Sequence, residues 1–435
     1  MLKTQKQLNM ENKQYDPYVL FTKRTLSNGM SLYHANIENR NFVRIRLIIH
    51  SGAITDPVGK EGLAHFVEHL FSRNGDMPRD QMEKYFHLLG RGLHTGSTNS
   101  DSVKYGCVLP VKREVLEPAL QHFFSMYAGI YNLNEFEAQR KVVEEEFHEK
   151  NKFPLMNAHA LWKNTILYPG SYWTRAISCI GSPESIATYT QQDVIDYWNE
   201  RYDPHNVSIV SAGGIAVDDL VEIIEKSMLP FQNHLPCGKH ACPRSMPIEG
   251  PQPAIRGIYK FDNKEFVGTM PVAPKGSYRA HVHLPFSADR STVRILLNMV
   301  NHVLFYTIRE KMRATYDVSA DFITDSLCKS IKLSCDSFDV SLVDIFVPTV
   351  IDAIKSIENR KELFDDMLAI KLASYQFEDS NVVDVVSGAS SDIVAYGRVR
   401  TLSEEIEEYK NLRFSDVQKY LEYLHPDYMF TTLYS

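Results

Sequence analysis

The sequence carries no surplus of basic residues. Lys and Arg number 47 against 54 Asp and Glu among 435 residues, which gives a formal charge of −7. Proteins that bind nucleic acids usually carry an excess of Lys and Arg, or a basic face. The balance therefore argues against a nucleic-acid partner and leaves the class of substrate open.

Cysteine is also scarce, and long apolar runs are missing. The six cysteines are scattered along a long chain and do not form the spacing pattern of a disulfide framework. No apolar run reaches the roughly 18 residues that span a membrane, and the polar segment 1–7 lacks the apolar core of a signal peptide. We therefore expect a cytoplasmic protein without a membrane span.

The order of elements divides the chain into two similar halves. Strand-like and helical segments mix in both halves, and a segment rich in proline separates them, with Pro at 230, 236, 243, 247, 251 and 253. This composition is typical of a linker. The sequence predicts an N-terminal domain over 1–229, a linker over 230–256 and a C-terminal domain of the same fold over 257–435.

Four predicted elements matter for function. A strand over 43–49 is followed by a loop and then by a helix that begins just before His65. A second helix covers 134–150, with Asn134 as its N-cap. In the second half, a long helix covers 290–312 and a strand follows near 316–323.

The most informative motif is His65-Phe66-Val67-Glu68-His69. Residues four apart lie on one face of an α-helix, about 6 Å apart along its axis, so the two imidazoles can close on one metal ion. Glu68 stands beside them and can accept a proton from a water at that metal. The order is the reverse of His-Glu-x-x-His, and it is the inverzincin signature.

A catalytic zinc site usually has three protein ligands and one open position, so a third ligand is needed. A later helix contains three consecutive glutamates, Glu144, Glu145 and Glu146. Helical periodicity places Glu146 on the stripe of Val142 and Val143, which we expect to face the core, whereas Glu144 falls on the polar side. Glu146 is therefore the favoured ligand, and Glu145 is the second candidate.

These motifs resemble those of the insulinase/pitrilysin zinc peptidases, a family that includes the mitochondrial processing peptidases and bacterial relatives. The family places its third ligand, a Glu, at about the same distance after the motif as Glu146, which follows His69 after 76 intervening residues. The segments 202–213 and 309–316 are similar to its closing strand of the first domain and to its second-half signature. The resemblance implies an α+β fold with two homologous α/β-sandwich halves. Each half would pack helices on one face of a mainly antiparallel sheet, and the chain would form half of a clamshell.

The resemblance also implies an activity. The chain would be a metalloendopeptidase that cleaves peptides or unfolded segments inside a closed chamber. Zn²⁺ would be the cofactor, held by His65, His69 and Glu146, with Glu68 as the general base.

A substrate-binding pair in the second half follows from the same resemblance. Arg309 and Tyr316 match an Arg and a Tyr that bind the substrate backbone and stabilise the tetrahedral intermediate across the chamber. Because this chain carries both the zinc motif and the pair, a homodimer is favoured. The alternatives are a heterodimer with a zinc-less homologous subunit and a non-catalytic core-type subunit, which would typically have lost motif residues.

Two positions depart from the family's usual pattern. Gln139 stands where a second glutamate usually precedes the zinc-binding one, so it offers a hydrogen bond but no negative charge near the metal. His94 replaces the usual Asn in the edge strand beside the zinc, where an extended substrate would add to the sheet. The segment Cys237–Cys242, with His240, is another candidate metal site, although an exposed linker is the favoured interpretation.

Overall fold

The computed structural model describes residues 15–73, 75–90, 93–129, 133–151, 154–236, 258–261, 275–375 and 381–434. Within these ranges the fold is α+β, with two sheets that each carry helices. In the same ranges, no helix is long and apolar enough to cross a membrane. Most of the predicted linker, including the segment Cys237–Cys242, lies outside the described residues, whereas Leu229–His234 forms a 3-10 helix.

The first half contains a mixed sheet. Its strands are β1 (Phe21–Thr25), β2 (Ser31–Asn36), β3 (Phe42–Ile49), β4 (Leu93–Thr98), β5 (Val103–Pro110) and β6 (Val207–Gly213). Its helices are α1 (Leu63–Phe71), α2 (Arg79–Leu88), α3 (Arg113–Ala128), α4 (Phe136–Lys150), α5 (Pro154–Leu167), α6 (Pro183–Ala187), α7 (Gln191–Arg201) and α8 (Val217–Met228). The strand order is β1-β2-β6-β3-β5-β4, and all neighbours are antiparallel except the parallel pair β2 and β6.

The second half contains a second sheet. Its strands are β7 (Ile258–Phe261), β8 (Lys275–Leu284), β9 (Asp317–Thr324), β10 (Lys329–Asp339) and β11 (Met429–Tyr434). Its helices are α9 (Arg290–Leu304), α10 (Val343–Lys355), α11 (Lys361–Ser374), α12 (Val382–Tyr396), α13 (Leu402–Lys410) and α14 (Phe414–Leu421). The strand order is β7-β11-β8-β10-β9, and again one pair, β7 and β11, is parallel.

The two sheets share one plan. The order β6-β3-β5-β4 of the first sheet corresponds to β11-β8-β10-β9 of the second. A parallel strand extends each order, β2 beside β6 and β7 beside β11. Helix α1 follows β3, and helix α9 follows β8 at the same place in the plan. The motif of two histidines therefore occupies a position that exists twice in the fold.

Alternation along β3 explains how the first sheet is covered. Ile45, Leu47 and Ile49 are fully buried against the helices of the first half. Ile48 points to the opposite face and is also fully buried, in a separate apolar cluster. Successive side chains of a strand alternate between faces, so this sheet has two covered faces rather than one.

The second covered face is supplied by the other half of the chain. Helix α12 places Val385, Val386 and Ala389 against Ile48 and Val210 of the first sheet. The contribution is reciprocal, because α5 of the first half packs on the second sheet. There the ring of Trp162 lies 5.4 Å from that of Phe430 on β11, and Tyr168, just after α5, joins the same apolar cluster.

Two predicted details are wrong. Helix α4 begins at Phe136 with Glu135 as its N-cap, because a buried turn between Leu133 and Phe136 precedes it, so Asn134 lies outside the helix. The predicted helix over 290–312 is α-helical only as far as Leu304 and then continues as a π-helix over Phe305–Lys311. Short π-helical turns are rare and often occur at functional sites.

The start of α1 is fixed by its contacts with two other segments. Gly62 is the N-cap at φ +96°, and a β-carbon there would stand 2.0 Å from the carbonyl oxygen of Ile180. Asp56 is fully buried and accepts hydrogen bonds from the backbone N–H groups of Gly62 at 2.7 Å and Ala64 at 2.8 Å. These bonds satisfy N–H groups that the first turn of a helix leaves without partners.

We expect Gly62→Ala to destabilise the protein strongly, and Gly59→Ala serves as the matched control. Both glycines have positive φ, but a β-carbon at Gly59 would meet nothing within 4 Å. The control should therefore cost only the left-handed penalty of about 1–2 kcal/mol. Gly62→Ala should cost at least about 3 kcal/mol, since the backbone at 180–181 must also move. Chemical denaturation measures both values, and equal losses would contradict the close contact.

Candidate metal centre

Helix α1 places His65 and His69 side by side. Their ring centroids are 4.6 Å apart. His65 is buried, and the side chain of His69 is 19% exposed. The helix is short and mostly apolar, and its buried residues fix its rotation, so both imidazoles project from one face toward α4.

Glu146 of α4 meets both histidines. Its Oε2 lies 3.2 Å from Nε2 of His69 and 3.7 Å from Nε2 of His65. The expectation that both valines before it face the core is wrong for Val142, which is 44% exposed, whereas Val143 is buried. Glu146 is therefore turned inward at the margin of the core, and Glu145 is exposed.

Burial favours the neutral form of both imidazoles. It lowers the pKa of His65 to about 4, with a further contribution from His69 and an opposing one from Glu146. It also lowers the pKa of His69, against the attraction of Glu146. A neutral imidazole has a free nitrogen lone pair, which is the form that binds a metal ion.

The three residues fit a zinc ion. Their ligand atoms all lie within 4.8 Å of one another, and no other such group occurs among the described residues. Donor atoms about 2.1 Å from a tetrahedral zinc are about 3.4 Å apart, close to the 3.2 and 3.7 Å separations observed here. The donor set of two imidazoles and one carboxylate is typical of catalytic zinc sites.

Neighbouring side chains hold the ligands in place. Lys150, one turn after Glu146, donates a 2.5 Å hydrogen bond to Oε1 and leaves Oε2 for the histidines. Gln139 is buried next to His69 and raises the pKa of that imidazole, while its own Oε1 has no hydrogen-bond partner among the described residues. A hydrogen bond like that of Lys150 orients a metal ligand; the neighbour of Glu146 is thus a cation, whereas the neighbour of His69 is uncharged.

Glu68 lies beside the centre but is held by a different element. Oε2 accepts a hydrogen bond of 3.1 Å from the hydroxyl of Thr98 on β4. Gly96, at φ +140°, brings the β4 backbone so close that a β-carbon would stand 2.5 Å from Oε1 of Glu68. Burial raises the pKa of Glu68 to about 7, while the Thr98 bond opposes that shift. A carboxylate with such a pKa can both accept and return a proton near neutral pH.

Strand β4 is irregular at this point. Its pairing with β5 shifts between His94 and Ser97, and His94 itself pairs with Gly106. A bulge of this kind often re-aims the backbone next to an active site. On its other side β4 is the last strand of the sheet among the described residues, and we call this outer edge, which lies next to Glu68, its free edge.

Arg309 and Tyr316 lie together in the second half. The guanidinium of Arg309 lies 3.7 Å from the ring centre of Tyr316 and 4.8 Å from that of Phe305, so it stacks against both rings. Tyr316 is 79% exposed. The π-helix carries Phe305 and Arg309, and Tyr316 immediately precedes β9.

Sequence reasoning missed Thr98, Gly96 and Lys150. Lys150 was within reach, because a cation four residues after Glu146 pairs with it on a helix. Nothing local to Thr98 or Gly96 indicates their role, since that role depends on β4 lying against α1.

Two family models match the chain. The model described as "Insulinase (Peptidase family M16)" matches residues 33–167, and the model described as "Peptidase M16 inactive domain" matches residues 188–370. The three candidate ligands and Glu68 fall in the first match, and Arg309 and Tyr316 fall in the second.

Curated relatives are similar over about half of the chain. The zinc protease PqqE of Helicobacter pylori is 25% identical over 215 residues, which are 48% of this chain and 47% of that protein. The probable zinc protease PqqL of Haemophilus influenzae is 26% identical over 50% of this chain and 24% of its own length. The mitochondrial-processing peptidase subunit beta of Saccharomyces cerevisiae is 22% identical over 57% of this chain and 52% of its own length. The chain thus spans about half, or less, of the length of these relatives.

Solved structures are similar in fold over nearly the whole chain. A protease from Helicobacter pylori gives a TM-score of 0.79 at 17% identity and covers 97% of this chain and 100% of its own. Pitrilysin gives a TM-score of 0.67 at 15% identity, covering 100% of this chain and 46% of its own.

Two neighbouring glutamates provide a test of the ligand set. Glu146→Gln should weaken zinc binding by at least about a hundredfold, because the oxygen that faces both imidazoles is replaced or neutralised. Glu145→Gln removes the same charge one residue away and should leave the affinity unchanged. Competition with a chromophoric chelator measures both, and a larger loss in Glu145→Gln would refute the assignment.

Proposed function

The chain belongs to the insulinase/pitrilysin family of peptidases (peptidase family M16), and we propose that it is a zinc-dependent endopeptidase whose metal is held by His65, His69 and Glu146. The observation that carries the proposal is the convergence of two neutral imidazole nitrogens on one carboxylate oxygen, at 3.2 and 3.7 Å. Glu68 belongs to the same helix and lies beside that convergence.

The residues of the centre divide the work of peptide hydrolysis. A bound zinc ion would polarise the scissile carbonyl and lower the pKa of water. Glu68 accepts a proton from the attacking water as the water oxygen bonds to the carbonyl carbon. Glu68 then gives that proton to the departing amine nitrogen as the C–N bond breaks. Thr98 fixes one oxygen of Glu68 through a hydrogen bond, so the second oxygen can serve for this transfer.

The free edge of β4 is the proposed place for an extended substrate. A peptide added there as a further strand would run beside Glu68, since Gly96 brings this strand against that carboxylate. His94 lies on the same strand, and its part in cleavage preference stays a prediction. Gln139 replaces an acidic residue beside His69, so we expect a less negative environment around the metal than in the family's usual pattern.

Arg309 and Tyr316 are proposed to bind the substrate inside a closed chamber. The stacked pair presents the guanidinium of Arg309 next to the phenol of Tyr316, and Tyr316 is mostly exposed. Such a pair suits developing negative charge on a carbonyl oxygen. We propose that two copies of the chain enclose the peptide, and that the pair of one subunit serves the zinc of the other.

A second candidate is a subunit that works only with a different partner. The match of residues 188–370 to a model described as an inactive domain favours it, as does the similarity to a chain of Complex III from Candida albicans, with a TM-score of 0.71 at 13% identity. The complete set of candidate ligands supports the catalytic alternative. A cytoplasmic location stays a prediction, and one structural neighbour is a protease described as periplasmic.

Replacement of the proposed base tests the activity. Glu68→Gln should reduce kcat for peptide cleavage by at least about a hundredfold, because an amide cannot accept the proton, and zinc content should stay unchanged. Glu144→Gln on α4 removes a charge of the same sign outside the ligand set. Peptide-library cleavage followed by mass spectrometry, with metal analysis, gives both readouts. Wild-type rates in Glu68→Gln, or less than about half an equivalent of zinc in the wild-type protein, would refute the proposal.

Mixing two inactive variants tests whether each active site combines residues of two subunits. One variant is Glu68→Gln, and the other combines Arg309→Gln with Tyr316→Phe. In a mixed dimer, one of the two sites combines an intact Glu68 with an intact Arg309 and Tyr316. At equal amounts of the two variants, half of the dimers are mixed, so activity should return to about a quarter of the wild-type value. No recovery in a sample that light scattering shows to be dimeric would place the pair and the zinc of one site on the same chain. A strictly monomeric and inactive wild-type chain would favour a missing partner.

A further inference from the structure

A cavity of about 480 Å³ lies between the two halves of the chain, and none of its lining residues is a candidate metal ligand. The turn between β4 and β5 and the turn between β9 and β10 form two of its walls. The start of α9 and the last turns of α12 form the others. The cavity therefore exists only where parts of both sheets and a helix of the second half meet.

Three basic side chains line this cavity: Lys104, Arg290 and Lys329. All three are half-buried. Within the described residues, none of them forms an ion pair; the ammonium of Lys329 donates to the carbonyl oxygen of Ala288, at 2.8 Å, and lies 5.1 Å from the ring centre of Phe286. Two or more half-buried cations facing one space normally require a counter-charge.

Among the described residues, the two carboxylates that line the cavity accept hydrogen bonds from the turn between β9 and β10. Asp101 accepts hydrogen bonds from the backbone N–H of Ser326 at 3.0 Å and from its hydroxyl at 2.5 Å. Asp325 accepts from the N–H groups of Leu327 and Cys328, both at 2.8 Å, and is largely buried. Both carboxylates hold the β9–β10 turn in place, and in the part of the chain that the structure describes neither forms an ion pair with any of the three cations, although Asp101 favours the charged form of Lys104.

The pKa values of the two lysines are both lowered, first by burial and then by a neighbouring cation. Burial lowers the pKa of Lys104, as does the nearby guanidinium of Arg46, while Asp101 opposes the shift. Burial lowers the pKa of Lys329, Asp289 opposes it, and Arg290 lowers it further. A bound anion would favour the charged forms of both lysines.

We propose that this cavity binds a small polyvalent oxyanion, a phosphate or a polycarboxylate, held by Lys104, Arg290 and Lys329. Several cations can each donate charge-assisted hydrogen bonds to such an ion. Because Lys104 belongs to the first half and Arg290 and Lys329 to the second, the ion would link the halves and stabilise their contact. The site is separate from the metal centre and does not depend on the proposed peptidase activity.

Calorimetric titration of the full chain with sodium pyrophosphate, at ionic strength fixed with sodium chloride, tests the proposal. Orthophosphate and citrate titrations distinguish phosphates from polycarboxylates. Lys104→Gln and Arg290→Gln should each weaken binding by at least about tenfold. The matched control is Arg294→Gln, on the same helix, whose side chain is exposed and pairs with Glu405 at 4.0 Å, and it should bind like the wild type.

The pair of arginine variants also separates this site from the zinc. An oxyanion that binds through the metal would bind both variants equally, which would overturn the proposal, as would no saturable binding of any of the three anions to the wild-type chain. Thermal unfolding gives a second readout: pyrophosphate should raise the Tm of the wild type and of Arg294→Gln more than that of Arg290→Gln. If Lys104→Gln fails to fold, Arg290→Gln alone decides, since Arg290 lies at the half-exposed start of α9.

Discussion

The geometry of the metal centre depends on one buried carboxylate. Asp56 accepts the N–H groups of Gly62 and Ala64 and so anchors the first turn of α1. Burial raises the pKa of Asp56 well above its usual range, and the two N–H bonds work against that shift. Both histidines and Glu68 follow on the same short helix. A small rotation of that helix would move both histidines relative to Glu146 on α4, and Glu68 relative to Thr98 on β4, because the two histidines and Glu68 share one rigid element.

The two halves share one sheet plan, but the candidate metal ligands lie in the first half and the pair Arg309 and Tyr316 lies in the second. Helix α1 follows β3 and carries two histidines and an acid, whereas α9 follows β8 and is apolar over most of its buried face. The second half instead continues into a π-helix that presents Arg309 next to an exposed tyrosine. The same architecture thus supports the candidate metal ligands in one half and exposed charge with aromatic surface in the other. Function here belongs to particular side chains and does not follow from the fold itself.

The sequence is informative where spacing within one element decides the geometry. Four-residue spacing on a helix is enough to place His65 beside His69, and the inward side of α4 is enough to favour Glu146 over Glu145. Contacts between elements are a different matter. Thr98 reaches Glu68 only because a bulged edge strand runs past α1, and such an approach has no local signature. The wrong expectation for Val142 has the same cause, because whether a position is buried depends on which neighbour covers it.

The exchange of helices between the halves has a consequence for synthesis of the chain. The outer face of the first sheet, with Ile48 and Val210, is covered by residues of α12, which begins at Val382. Chains emerge from the ribosome in order and tend to fold as they emerge. The half that carries the candidate metal ligands therefore keeps an uncovered apolar surface until most of the chain has been translated. Over that interval the nascent chain exposes the kind of apolar surface that chaperones bind, and this surface is covered only once the segment from Val382 onward has been translated.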